Sequence, residues 1–335
     1  MKAIAMTEPG SPAVLVPQEM PTPDLVTDTD VRVRLVAAGI NPIDTKLRSR
    51  GTFYPDRAPH VLGCDGAGIV EAVGSAVTAF SPGDAVYFCY GGLGGPTGNY
   101  AEAIVVPEAC LAPKPQSLSF AEAAAAPLVL ITAWEALFDR GRLAAGQRTL
   151  IHAGAGGVGH VAIQLAKLGG AEVCTTVSTP EKADFVRRLG ADYAILYRQE
   201  SFVEAALIWT AGLGVDLAFD TVGGDLFAAT FPAIKVYGDL VTILEPPPDT
   251  VWAIARQRNL RISLELMLTP LLQPLAAAIA AQAKILQQCS QWIDAGRLHI
   301  HLERTFPLEE AAAAHALLGT GSMRGKLALQ IAEEP

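Results

Sequence analysis

Between residues 149 and 244 the apolar and polar positions follow two alternating rhythms. Short runs rich in β-branched residues read as strands: Thr149 to Ala153, Glu172 to Val177, Asp192 to Leu196, Val215 to Asp220 and Asp239 to Leu244. Between them lie stretches with helical spacing, Val158 to Leu168, Pro180 to Leu189, Ser201 to Thr210 and Asp225 to Ile234. Strand and helix in strict turn predict a parallel sheet with right-handed crossovers and helices on both faces.

The preceding segment has another rhythm. Val31 to Ala37 (VRVRLVA) alternates apolar and charged residues like a half-buried strand, and Gly66 to Val73 and Asp84 to Tyr87 are further strands. Gly and Pro turns such as Ser81-Pro82-Gly83-Asp84 separate them, and residues 41–60 and 88–100 read as loops. Past the alternating region come a long helix, Ala276 to Ala295, a strand, Leu298 to Thr305, a helix, Leu308 to Leu318, and a strand, Lys326 to Ile331. The whole reads as an α/β protein of two domains, a size that 335 residues accommodate.

The first strand of the alternating region runs into Gly154-Ala-Gly156-Gly157-Val158-Gly159 and then a helix. A G-x-G-x-x-G string alone is weak. Here it follows a strand, opens a helix and begins a βαβ unit, the context of a dinucleotide-binding turn. Gly154 is expected to allow the tight turn, Gly156 to let the backbone approach a pyrophosphate, and Gly159 to let helix and strand pack closely. The helix N-terminus offers unpaired N–H groups to the anion. The end of the next strand decides between dinucleotides, because an Asp or Glu there holds a ribose 2′-hydroxyl. This chain has Val177-Ser178 and no acid until Glu181, with Lys182 one turn into the following helix. A hydroxyl and an ammonium suit the 2′-phosphate of NADPH.

Composition narrows the partners. The net charge of −9 argues against a nucleic-acid or anionic-membrane partner, which would need a basic face. The most apolar stretches are interrupted by Pro127, Arg261, Glu265 and Pro270, so neither reaches the roughly 18 to 20 apolar residues of a membrane span. The start, MKAIAMTEPG, has no apolar core of a signal peptide. Five scattered cysteines (Cys64, Cys89, Cys110, Cys174, Cys289) without C-x-x-C spacing disfavour both a disulfide framework and structural zinc, and imply a reducing cytoplasm. His152 and His160 fall in the first strand of the alternating region and its helix, where a structural role is expected, and no Ser-His-Asp or Cys-His arrangement is readable.

Taken in order, several motifs resemble the medium-chain dehydrogenase/reductase superfamily, specifically its zinc-free NADPH:quinone oxidoreductase branch. They are GINPIDTKLRSRGTFYP (39–55), LGCDGAGIVEAVGSAVTAFSPGDAV (62–86), AGAGGVGHVAIQLAKLGGAEV (153–173), TVSTPEK (176–182), DLAFDTVGG (216–224) and GKLAL (325–329). The resemblance covers essentially the whole chain. It implies a GroES-like β-barrel catalytic domain formed by residues 1–124 and 273–335, and a Rossmann doubly wound parallel-sheet domain at 125–272. The active cleft would lie at their junction. It also implies a homodimer joined through an edge strand within Asn259 to Met267. Ser178, Lys182 and Tyr197 match the group that holds the 2′-phosphate in NADPH-using relatives. Thr132, Thr221 and Val222 match positions beside the nicotinamide.

Zinc-dependent members of the superfamily carry a Cys where Asn41 stands and a G-H-E triplet where this chain has Gly63-Cys64-Asp65. Catalytic zinc needs three protein ligands, so the resemblance implies none, with Cys64 a small buried residue. The implied chemistry is hydride transfer to a quinone or another α,β-unsaturated carbonyl. Asn41 is a candidate to hydrogen-bond the nicotinamide ribose or a substrate carbonyl, or a turn residue before Pro42; Asp44 is a candidate to hold its loop. Tyr54 is a candidate wall of the pocket or proton donor. Two residues separate it from Gly51, a longer spacing than in many relatives, so Phe53 is the alternative wall. A 2-enoyl-thioester reductase and a non-catalytic NADPH-binding protein are the competing functions.

Overall fold

The structure is a computed structural model that describes every residue except Pro96, Pro274 and Pro335. Two compact units divide the chain, Val129–Met267 and the remainder, Met1–Leu128 with Leu268–Pro335.

The Val129–Met267 unit holds a six-stranded sheet, every neighbouring pair parallel, in the order Tyr193–Leu196, Glu172–Val177, Arg148–Ile151, Val215–Asp220, Ile234–Thr242, Arg261–Leu264. In sequence order within the sheet this is 3-2-1-4-5-6, the doubly wound Rossmann arrangement, whose ligands bind beyond the carboxyl ends of the strands where the order reverses. Helices Gly157–Leu168, Pro180–Arg188 and Phe202–Trp209 cross between strands. Thr179 and Ser201 cap the last two by accepting the Lys182 and Glu204 backbone N–H groups. Each such cap stabilises a helix by about 1 kcal/mol.

The expected helix Asp225 to Ile234 is two short elements, Asp225–Ala229 and a 3-10 turn Phe231–Ala233, and the strand after it begins at Ile234. Pro232 has no N–H to continue the ladder. The four-then-three spacing of Phe227, Phe231 and Ile234 imitates one helix face, although these residues reach the same core from three elements. Phe227 and Phe231 meet edge to face at 5.2 Å, and each is fully buried. Burial of side chains this large stabilises by about 1.5–3 kcal/mol apiece.

The other unit is β-rich. Its main sheet runs Leu302–Pro307, Lys326–Gln330, Asp30–Ile40, Asp65–Val73, Ala85–Cys89, Ala112–Pro113, and Ala103–Pro107 also pairs with Asp30–Ile40. A smaller sheet joins Val16–Glu19, Lys2–Met6 and His60–Val61. Residues 42–50, expected as loop, form the helix Pro42–Arg50. Pro at the first helical position and Asp44 accepting the Asn41 backbone N–H at 2.7 Å start it. The strand expected at Leu298 to Thr305 begins at Leu302, while Leu298 and Ile300 are buried outside the ladder. Among the described residues no helix is long and apolar enough to cross a membrane.

Candidate active site

The glycine turn sits at the carboxyl end of Arg148–Ile151, and its helix begins at Gly157 with Gly156 as the N-cap. The strained backbone falls on Ala153, at φ +51°, and not on Gly154. Gly154 is required sterically, since a Cβ there would lie 2.0 Å from Thr175 Oγ1. A Cβ on Gly159 would meet Ala153 O at 2.3 Å, which forbids any side chain where helix and strand touch. Gly156 is different. A Cβ there would meet a single protein atom within 4 Å, Ala153 O at 3.2 Å. Its lack of a side chain relieves only that one contact inside the protein and leaves the helix N-terminus open to a close-lying anion. Val158, partly buried, sits in the first turn between these glycines. The cradle fits a dinucleotide pyrophosphate.

Ser178 directly follows Glu172–Val177, and Lys182 lies in the first turn of Pro180–Arg188. Tyr197 directly follows Tyr193–Leu196; its backbone N–H donates to Val177 O at 3.2 Å and its side chain is exposed. Parallel register thus brings Ser178 and Tyr197 side by side. No carboxylate ends the Glu172–Val177 strand. The nearest acid, Glu181, points into solvent, its carboxyl held below the usual range by its own backbone N–H and by the Thr179 hydroxyl.

Thr221 and Val222 follow Val215–Asp220 at the same edge of the sheet. Asp220, fully buried and not anticipated from the sequence, shapes this turn. Its Oδ1 accepts the N–H groups of Val222 and Gly223, both at 2.9 Å, and its Oδ2 accepts the Thr242 hydroxyl at 3.1 Å. Thr221 Oγ1 donates to His152 O at 2.8 Å. His152 is structural: burial lowers its pKa to about 4, against the opposing pull of Asp220. Its Nε2 meets Thr230 Oγ1 at 2.9 Å, and that hydroxyl donates onward to Leu226 O, so the neutral ring donates from Nε2. Thr132 is buried in the helix Pro127–Trp134, which continues as a π-helix over Glu135–Arg140, a widening that recurs near functional sites.

In the β-rich unit, sheet register stacks the ends of four neighbouring strands. Leu327 pairs with Ile40, Gly39 with Asp65, and Asp65 with Cys89. Gly39 makes the stack possible, since a Cβ there would meet Ala124 O at 2.3 Å. Asn41, Asp65 and Lys326 therefore converge, all buried. Asn41 Nδ2 donates to Asp65 Oδ2 at 2.8 Å, and the Lys326 ammonium donates to Asn41 Oδ1 and to Ile40 O. Asp65 Oδ1 accepts the Leu128 N–H at 2.9 Å, in the first turn of Pro127–Trp134. Burial raises the Asp65 pKa and lowers that of Lys326, and each opposes the shift of the other.

Asp44 is pushed up to about 7 by burial, with Asp65 adding to the rise and the Asn41 N–H and Lys326 opposing it. Cys64 is buried and its thiol pushed well upward by burial and by Asp44 and Asp65, which keeps it protonated. All five cysteines are free and buried. Among the described residues no group of three or more His, Cys, Asp or Glu is arranged to hold a metal ion.

Tyr54 precedes the 3-10 turn Pro55–Arg57, half-buried, with the Arg57 guanidinium 4.6 Å from its ring centre. Phe53 is 48% exposed, so of the two rings Tyr54 is the more enclosed.

Comparison with known proteins agrees with this arrangement. Residues 27–116 match the family described as "Alcohol dehydrogenase GroES-like domain", and residues 189–329 match "Zinc-binding dehydrogenase". The chain is 33% identical to a zinc-type alcohol dehydrogenase-like protein of Staphylococcus aureus, covering 94% of this chain and 93% of that one. It is 34% identical to a quinone oxidoreductase of Pseudomonas aeruginosa (90% of each chain) and 32% to a 2-haloacrylate reductase of a Burkholderia species (89% and 90%). Among solved structures, an NAD-dependent alcohol dehydrogenase aligns with a TM-score of 0.89 at 32% identity over 99% of this chain and 100% of that one. The Escherichia coli quinone oxidoreductase complexed with NADPH aligns with a TM-score of 0.87 at 28% identity, again over 99% and 100%.

A GroES-like domain joined to a Rossmann domain with this glycine cradle defines an oxidoreductase that uses a nicotinamide dinucleotide. The chain belongs to the medium-chain dehydrogenase/reductase superfamily, in its quinone oxidoreductase branch.

Proposed function

We propose that this protein is an NADPH-dependent reductase that delivers hydride to a quinone or another conjugated carbonyl (enone) without zinc. The observation that carries the zinc-free reading is the state of Asn41. It stands where zinc-dependent members have a cysteine, and its amide is already engaged by the Asp65 carboxylate and the Lys326 ammonium. A buried cation of the protein's own thus occupies this cluster. The preference for NADPH is supported by Ser178 and Tyr197 directly after two neighbouring strands, by Lys182 in the first turn of the following helix, and by the absence of an acid directly after Val177.

When bound, the nicotinamide supplies hydride from C4 to the electron-poor carbon of the acceptor. Open N–H groups at Gly157, Val158 and Gly159 hold the pyrophosphate. Thr132, Thr221 and Val222 orient the nicotinamide. Asn41 donates a hydrogen bond to the ribose or to the acceptor carbonyl, Tyr54 forms an aromatic wall, and the proton comes from solvent. The enzyme acts in the cytoplasm as a homodimer through the sheet edge Arg261–Leu264. That strand pairs only on one side among the described residues, and Leu264 and Leu266 are 61% and 52% exposed.

Oxidation of NADPH and NADH across quinones, enones and enoyl thioesters, with metal analysis of the same preparation, tests this reading. Turnover of quinones or enones with NADPH by zinc-free protein is expected. A preference for NADH, activity confined to enoyl thioesters, or stoichiometric zinc needed for turnover would each overturn a stated part. Tight NADPH binding without turnover of any acceptor would leave a non-catalytic binding protein.

A further inference from the structure

Residues 91–95 carry glycine at four of five positions, so they have little conformational preference of their own and bonds from outside must fix them. Strand His60–Val61 grips Gly95 at both of its backbone polar groups. The Gly95 N–H donates to His60 Nδ1 at 2.9 Å, and its carbonyl accepts the Val61 N–H at 3.0 Å. That strand is itself anchored, with Met6 opposite His60 and Ala5 opposite Val61. His60 is buried, and because its imidazole accepts through Nδ1, its proton sits on Nε2. One residue earlier, Gly94 lies against Tyr54. A Cβ on Gly94 would meet Thr52 Oγ1 at 2.8 Å and Tyr54 Cβ at 3.2 Å. The Leu93 carbonyl accepts the Phe53 N–H at 3.1 Å. Tyr54 is therefore backed by Gly94, and the Arg57 guanidinium stands 4.6 Å from its ring centre.

We infer that His60 is a positioning residue for the acceptor: by accepting the Gly95 N–H it pins Gly94 behind Tyr54 and so fixes where the Tyr54 wall stands. The inference rests on the proposed role of Tyr54 as that wall. His60 touches no ligand; it acts through the backbone of residues 93–95. Without an acceptor at this place the buried Gly95 N–H loses its partner, which favours any arrangement of the glycine segment that turns it to water. Gly94 then leaves Tyr54 without its backing, and a misplacement of about 1 Å beside reacting groups can slow a reaction about a hundredfold. The residues proposed to hold the dinucleotide, Gly156 and Lys182 among them, lie outside this segment, so cofactor binding should be spared.

A histidine that merely braced its strand would affect stability alone. A clasp affects the acceptor, and another side chain that accepts at the same place can replace it. His60→Leu removes the accepting atom, and His60→Asn restores one, Oδ1. With para-benzoquinone as the probe, His60→Leu should raise the acceptor KM about tenfold while the KM for NADPH stays within about twofold. His60→Asn should bring the acceptor KM back to within about threefold of wild type. Hydrogen exchange followed by NMR is a readout independent of turnover. The Gly95 and Phe53 amides should exchange about tenfold faster in His60→Leu than in wild type, with the amides of strand Asp65–Val73 unchanged. If His60→Leu fails to fold on a melting curve, Gly94→Ala disturbs the same backing directly, with the same rise in acceptor KM expected. A wild-type acceptor KM in the folded variant, an equal rise for NADPH, or no recovery in His60→Asn would overturn the inference. If the wild-type protein reduces no quinone or enone, the functional reading fails and the inference with it. If it does, and Gly95 exchanges as slowly in His60→Leu as in wild type, the positioning inference falls by itself.

Discussion

Thr175 and Gly154 touch so closely that a Cβ on the glycine would lie 2.0 Å from the threonine hydroxyl oxygen. Thr175 cannot swing away without breaking its bond to Ile151 O at 2.6 Å. The three glycines of the cradle are therefore separable by experiment. Gly154→Ala and Gly159→Ala should each lower folding stability by about 1–3 kcal/mol through overpacking. Gly156→Ala, at φ −78° with one close contact, from its Cβ to Ala153 O at 3.2 Å, should lose about 1 kcal/mol as an N-cap change yet bind NADPH at least tenfold more weakly. Urea denaturation and NADPH fluorescence titration read the two effects. Wild-type affinity in Gly156→Ala would mean that no ligand approaches that backbone.

Lys182 and Ser178 should discriminate between cofactors. Removing an ammonium that faces a 2′-phosphate, by Lys182→Ala, should raise the KM for NADPH about tenfold, equivalent to about 1.4 kcal/mol. The KM for NADH should change less than threefold. Equal effects on both cofactors would remove these residues from the phosphate site.

Buried His152 contributes a loss of stability in acid. Its folded pKa of about 4 lies below the ordinary histidine value of 6.5, so above 6.5 both states are neutral and nothing is lost. Below 6.5 the unfolded chain takes up a proton that the fold refuses, and stability falls until the pH passes about 4. The loss is at most about 3 kcal/mol by linkage. Asp44 slopes the other way. Its pKa, raised to about 7, contributes stability that is present below its ordinary value of 3.8 and lost as pH rises through 7. His152→Gln should be less stable than wild type at pH 7.5 but should lose less between pH 7 and 5, measured as urea midpoints. Parallel pH curves for the two proteins would refute the assignment.

The exposed edge Arg261–Leu264 should be a subunit contact. Leu264→Glu places a charge on an apolar side chain at an open strand edge, and should convert a dimer into monomers with little change in melting temperature. Sedimentation or light scattering decides it. A monomeric wild-type protein, or a variant that remains dimeric, would move the interface elsewhere.

Much of the Rossmann unit was legible along the chain. Glu172–Val177 and Val215–Asp220 fall within the bounds read from their patterns, because a parallel strand buried on both faces writes itself as a short apolar run between Gly and Pro punctuation. The glycine turn was legible for the same local reason. Its division of labour was not, since the left-handed residue is Ala153 and the need at Gly154 comes from Thr175 on the neighbouring strand. Helix Pro42–Arg50 reads as loop along the chain although Pro42 and Asp44 carry its start signal, because its sequence shows little amphipathic period.

What the sequence determined by itself was local or ordered along the chain: the alternation of strand and helix, the glycine turn opening a helix, and the absence of an acid after Val177. Tertiary structure decided what depends on contacts between distant segments. Asp220 became the clasp of the Thr221–Val222 turn only through side-chain bonds that no spacing encodes. Lys326 met Asn41 across 285 residues only because sheet register set the ends of their strands together. Hydrophobic periodicity records which face of an element is buried, but not which buried polar groups will find one another there.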